Sequence, residues 1–131
     1  MNKKVVFGLI GIGLIGFSFF IPIVDDYSFF DLANSFVILL NILLISASLF
    51  LLYQDKYQYL WIVGLLIVIL HFYTSRVNIG PFLSRSYYTG QISDLNANVG
   101  AFIFNTLGAM ILIILSIIYK RKEIKKILSD N

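Results

Sequence analysis

Hydrophobic and polar positions in this chain are sorted into blocks rather than faces, with four long uncharged runs separated by short polar segments. The runs occupy 5–24, 32–53, 57–75 and 95–119. At ~1.5 Å of rise per helical residue, ~20 residues reach about 30 Å, the thickness of a bilayer's hydrocarbon core. The pattern predicts an all-α membrane protein: four transmembrane helices in an antiparallel bundle, forming a single four-span domain over 1–131.

The first run has a rival reading, because Lys3 and Lys4 precede it as the basic region of a secretory signal peptide does. Its apolar stretch is too long for that, and Phe19, Phe20, Ile21, Pro22 and Ile23 offer no small residues at cleavage spacing. An uncleaved anchor is expected, with Pro22 at the end of the helix, where one lost donor costs little. The polar segment between the second and third runs is short enough to demand a helical hairpin. The segment 76–94 is the longest, and its Gly80, Pro81, Ser84, Ser86, Thr89 and Gly90 predict turns in an external loop. Ser93 and Asp94 would then cap the fourth helix.

Composition sharpens the class. With 59% of residues hydrophobic and 13% charged, and a mean hydropathy of +0.87, the chain lacks the polar surface that a water-soluble domain needs. It contains no cysteine, which removes disulfides, thiolate metal sites and cysteine nucleophiles together. The net charge of +3 resolves by position. Lys3, Lys4, Lys56, Lys120, Arg121, Lys122, Lys125 and Lys126 fall with the two ends and the middle turn, whereas Arg76 and Arg85 fall opposite. The excess of cations on one side predicts a multi-pass protein of the cell membrane with both termini cytoplasmic. Tyr53, Tyr57, Tyr59, Trp61 and Tyr119 would mark the inner interface, and Phe29, Phe30, Phe72 and Tyr73 the outer one. The cations flank spans instead of interleaving with aromatics on one face, so no nucleic-acid partner is expected.

No Asp, Glu, Lys or Arg lies within any of the four runs, although proton relays and ion-coupled carriers depend on such groups. In length and span number the layout is similar to that of small multidrug-resistance transporters. That resemblance implies a membrane-embedded glutamate, which is absent between Val5 and Val24. Tetraspanins and claudins also cross four times, but their disulfide-bearing outer loops need the cysteines this chain lacks. No HExxH, nucleophile elbow or paired carboxylate occurs in a span. The expectation is a non-enzymatic protein with no catalytic residue, cofactor or metal. His71, the one histidine, is expected near the outer interface in ordinary hydrogen bonds.

The polar residues within the runs are spaced for packing. Asn34, Asn41 and Ser48 recur at seven-residue intervals that reach on to Asp55, and so fall near one helix face. Ala97, Ala101, Asn105, Gly108 and Leu112 make a comparable stripe in the fourth run, its small members permitting close backbone approach. Asn41 and Asn105 lie at similar depth, and a mutual hydrogen bond between the two amides is predicted. Gly8, Gly11, Gly13 and Gly16 spread over roughly 200° of a helix, which suits two neighbours, one approached through each pair. Beyond the last run, Lys120, Arg121, Lys122, Lys125 and Lys126 alternate with Ile124, Ile127 and Leu128 at helical spacing. An amphipathic extension in contact with anionic lipid headgroups is expected.

Two functions fit these residues. The first is an interaction, accessory or regulatory component that meets a membrane-protein partner or copies of itself in the bilayer. The alternative is a small homo-oligomeric channel or transporter for a neutral or weakly selected solute, with Asn34, Asn41, Ser48 and Asn105 lining its path.

Overall fold

Asn2 opens the first helix by accepting the backbone N–H of Lys4 on its side-chain oxygen, 3.2 Å away, which satisfies one of the donors a helix start leaves free. In the computed structural model, which describes residues 2–22, 28–89 and 100–130 and leaves the side chains of Leu32 and of 75–89 outside the description, helix α1 spans Lys3–Ser18. It buries Gly8, Gly11, Ile12, Ile15 and Ser18, the spacing of one helical stripe. Its end is set by Pro22, which has no N–H to offer Ser18. The last amides instead tighten onto carbonyls three residues back, Phe19 to Gly16 at 3.3 Å and Phe20 to Phe17 at 3.1 Å.

A single turn, α2 (Phe29–Leu32), follows. The Asp31 carboxylate holds it by accepting both the backbone N–H and the hydroxyl of Ser28, at 2.8 and 2.7 Å. Helix α3 spans Ser35–Tyr53. It ends in a left-handed residue, Asp55 at φ 54°, after which Lys56 N–H reaches back to the Leu51 carbonyl at 2.9 Å and Asp55 N–H to Leu52 at 3.4 Å. This pair of bonds is the Schellman arrangement that satisfies the last carbonyls of a helix. One 3-10 turn, Tyr57–Tyr59, leads into α4 (Leu60–Thr89), and α5 spans Gly100–Ser129.

Every regular element among the described residues is helical. Three segments among the described residues are long and apolar enough to cross a membrane: Ser35–Tyr53, Tyr57–Thr74 and Gly100–Ser129. The described helix of the first run has 16 residues, about 24 Å at the ordinary rise. One expectation is corrected. Residues 76–89, read from their glycine, proline and serines as turns, continue α4 as helix. Once several turns are formed, propagation adds a hydrogen bond for each residue fixed, and Pro81 withholds one donor from a helix already nucleated. The expected caps Ser93 and Asp94 lie outside the described residues.

The helices pack in a cycle. α1 lies mainly against α5, with a smaller contact to α3, and α4 packs on both α5 and α3. Ile15, Leu60, Ile67 and Leu112 are fully buried at the centre. Closest approach is at Gly11 and Gly108: a Cβ on Gly11 would lie 2.9 Å from the Gly108 carbonyl oxygen, and one on Gly108 would overlap the Gly11 oxygen. A second near contact joins α4 to α5, where a Cβ on Gly64 would meet the Ala109 oxygen at 3.0 Å. The outward faces are large and apolar, with Phe36 at 69% and Phe50 at 58% exposure on α3.

Candidate functional site

Several polar side chains within the apolar runs turn inward. Asn41, Ser48 and Asn105 are all buried, although each sits among residues whose outer neighbours are exposed Phe, Leu and Ile. Their hydrogen bonds differ from expectation. Asn41 Nδ2 donates to the Val37 carbonyl of its own helix at 3.0 Å, and Ser48 Oγ to the Leu44 carbonyl at 2.9 Å. Asn105 Nδ2 instead crosses to α1, donating to Ser18 Oγ at 3.3 Å, while that hydroxyl donates to the Ile15 carbonyl at 2.6 Å. Neither Asn41 Oδ1 nor Asn105 Oδ1 accepts a bond among the described residues, so the predicted Asn41–Asn105 pair does not form. The packing cycle gives the reason. α3 and α5 each pack on α1 and α4 rather than substantially on each other, and Ser18 takes the place beside Asn105.

Asn34 is no member of an internal seam. It is exposed and caps α3, its side-chain oxygen accepting Val37 N–H at 2.9 Å. Asp55 likewise lies beyond the helix end, where it accepts the Tyr57 hydroxyl at 2.7 Å. The α5 stripe fares differently: Ala101, Asn105, Gly108 and Leu112 are all buried, while Ala97 lies outside the described residues. Of the four α1 glycines, Gly8 faces Leu52 of α3 and Gly11 faces Gly108 of α5, whereas Gly13 and Gly16 have open space beside them. A single close pair thus serves both neighbours.

One end of the packed helices gathers polar and aromatic groups. Lys4 Nζ stands 5.4 Å from the Tyr57 ring centroid and 5.3 Å from that of Tyr119, and the two rings are 5.4 Å apart. A cation over aromatic faces gains about 0.5–1 kcal/mol at an exposed site. Ser116 Oγ on α5 donates to the Gln58 carbonyl of the 3-10 turn at 3.0 Å, tying the α3–α4 connection to the same end. At the other end His71 is buried, stacked on Phe29 at 5.3 Å between centroids and near Phe19 and Phe102, each at 6.3 Å. Its ring nitrogens have no hydrogen-bond partner among the described residues. It is an aromatic packing element there, not the interfacial hydrogen-bonding group expected.

The remaining predicted residues form an arm. α5 continues without a break through Lys120, Arg121, Lys122, Lys125 and Lys126, and every residue from 120 to 129 is exposed. Ile124, Ile127 and Leu128 share that helix at 48%, 57% and 71% exposure. Sequence reasoning missed Lys4, Ser18 and Ser116 as bridging groups. The signal was available for two of them, since Lys4, Gly11 and Ser18 recur every seven residues, the interval that places them on one face of α1. No family model, curated protein or solved structure matches the chain.

Proposed function

We propose that the chain is a four-span protein of the cell membrane with both termini cytoplasmic. In this reading it serves as a non-enzymatic accessory or regulatory component, held in the bilayer by its helices and engaging anionic headgroups and a membrane-protein partner from its cytoplasmic side. The observation that carries this reading is the inversion of polarity: Asn41, Ser48 and Asn105 are at most 1% exposed, while Phe7, Phe17, Phe36 and Phe50 stand more than half exposed. In water this arrangement would leave large apolar faces uncovered; in lipid it is the favourable one.

An antiparallel arrangement is supported by the contact order along α1 and α5, with Lys4 beside Tyr119, Gly11 beside Gly108 and Ser18 beside Asn105. The first crossing is supported by the 3-10-like bonds that follow α1. Three residues at ~2 Å each extend its ~24 Å to about 30 Å. Orientation rests on Lys3, Lys4, Lys56 and the arm sharing an end, the cationic side facing the cytoplasm.

The channel reading has less support. Residues that border a path between copies should be open on one copy, yet of its four residues Asn41, Ser48 and Asn105 are enclosed, and the exposed Asn34 is engaged in capping α3. Affinity purification from membranes in mild detergent tests the proposal: a companion membrane protein in fixed proportion is the expected result. Recovery of the chain alone, together with solute flux through liposomes containing it, would reverse the preference.

A further inference from the structure

Two hollows share a wall on α5. The first is a trough of about 190 Å³ between α1 and α5, lined by Phe7, Ile111, Ile114, Leu115 and Ile118, all apolar. The second, of about 490 Å³, lies about two turns further along α5, where Ile118 meets Arg121, Lys122, Ile124 and Lys125. Ile118 belongs to both, so an apolar trough and a cationic mouth adjoin at that residue. Among the described residues, no carboxylate lines that mouth.

We propose that this composite groove seats one acidic phospholipid, its acyl chain along the trough and its phosphate-bearing headgroup against Arg121, Lys122 and Lys125. The inference rests on the membrane reading above and names a ligand class for its basic arm. Depth agrees with it: the trough occupies the last turns of the apolar run, which closes at Tyr119, and the mouth begins just beyond. That boundary is where a lipid passes from chain to phosphate. The chemistry agrees as well. A guanidinium offers a planar fork to phosphate oxygens, and two ammonium groups supply point charges beside it. A neighbouring hollow of about 300 Å³ is lined by Lys4, Tyr119, Lys122, Glu123 and Lys126, and there the Glu123 carboxylate opposes an anion. Free phosphate would satisfy the mouth and leave the trough unfilled; an amphiphile fills both.

The full chain, reconstituted in vesicles of mixed phosphatidylglycerol and phosphatidylcholine and extracted in mild detergent, carries its retained lipid into native mass spectrometry. Phosphatidylglycerol should be retained preferentially. Arg121→Gln and Lys125→Gln should each lower that retention about fivefold, given ~1 kcal/mol for each basic residue near the surface. Ile118→Trp fills the trough with no change of charge and should lower it comparably; Ile114→Trp repeats that test at another position, and helical circular dichroism verifies folding of both. Lys56→Gln removes the same charge from outside the mouth, at the exposed turn between α3 and α4, and should leave retention within about twofold. Equal losses for Lys56→Gln and Arg121→Gln, with both tryptophan variants unchanged, would reveal diffuse attraction and overturn the seat. Inorganic phosphate releasing the lipid as completely as a short-chain phosphatidylglycerol does would also overturn it. A chain that inserts but does not prefer the acidic lipid defeats this inference alone, whereas one that fails to insert defeats the membrane reading too.

Discussion

At the scale of single residues, the fold turns on where a methyl group fits. Gly11 and Gly108 bring two backbones into contact, and Gly108 also has Ile15 Cγ1 within 2.8 Å of where its Cβ would stand. Backbone atoms cannot rotate away as a side chain can, so the helices themselves must separate. Gly108→Ala is expected to destabilise the packed state by about 1–3 kcal/mol, the usual range for overpacking. Gly13→Ala and Gly16→Ala meet nothing within 4 Å and should be neutral or stabilising by about 0.5–1 kcal/mol through helix propensity. Unfolding in mixed detergent, read by circular dichroism, separates the two outcomes; equal effects at Gly108 and Gly13 would contradict the close crossing. The four glycines were visible in the sequence as packing residues, but their division was not. A period of 100° places Gly8 and Gly11 on adjoining faces, yet says nothing of which face meets a neighbour.

At the scale of elements, helix ends are held by short-range chemistry. Asp55 combines a left-handed backbone with the acceptor for the Tyr57 hydroxyl, two properties that substitution can separate. Asp55→Ala loses both the bond and the local tolerance of positive φ, and should destabilise by about 1–2 kcal/mol. Asp55→Gly loses the bond but relaxes the backbone and should cost measurably less. Thermal unfolding of the pair tests this, and a larger loss for glycine than for alanine would refute it. At α2, the hydroxyl and backbone N–H of Ser28 hold the Asp31 carboxyl below its ordinary value of 3.8. A depressed carboxylate contributes order that is present above the unfolded value and lost as pH falls through the folded one. Amide exchange at Ser28 should therefore stay slow above pH 3.8 and accelerate below it. Exchange independent of pH across that window, after correction for intrinsic rates, would remove Asp31 from the turn. Helices α3 and α5 were legible because their apolar runs are long and uninterrupted. The extension of α4 to Thr89 was not, because glycine and proline punctuate a helix only when propagation from its neighbours fails to carry through them.

At the scale of the whole molecule, the same residue types proved informative in proportion to how local their partners are. The burial of Asn41, Ser48 and Asn105 could be anticipated from a polar side chain's cost in hydrocarbon. The partner of Asn105 could not, since Ser18 lies 87 residues away and the choice depends on which helices adjoin. Similarity of depth suggested Asn41, but depth is one coordinate and adjacency another. The basic arm was legible throughout as a helical continuation, because its cations and apolar residues keep the spacing of α5. What the packed helices add is the trough that leads to it. The central claim, four crossings with the cationic end inside, is open to direct measurement because the natural chain has no thiol. Single cysteines at Asn2, Asp31, Lys56 and Lys125, each the sole reactive site, can be probed on intact cells with a membrane-impermeant maleimide. The account predicts labelling of Asp31→Cys alone, with the other three reacting only after the membrane is opened; labelling of Asn2→Cys or Lys125→Cys on sealed cells would contradict it.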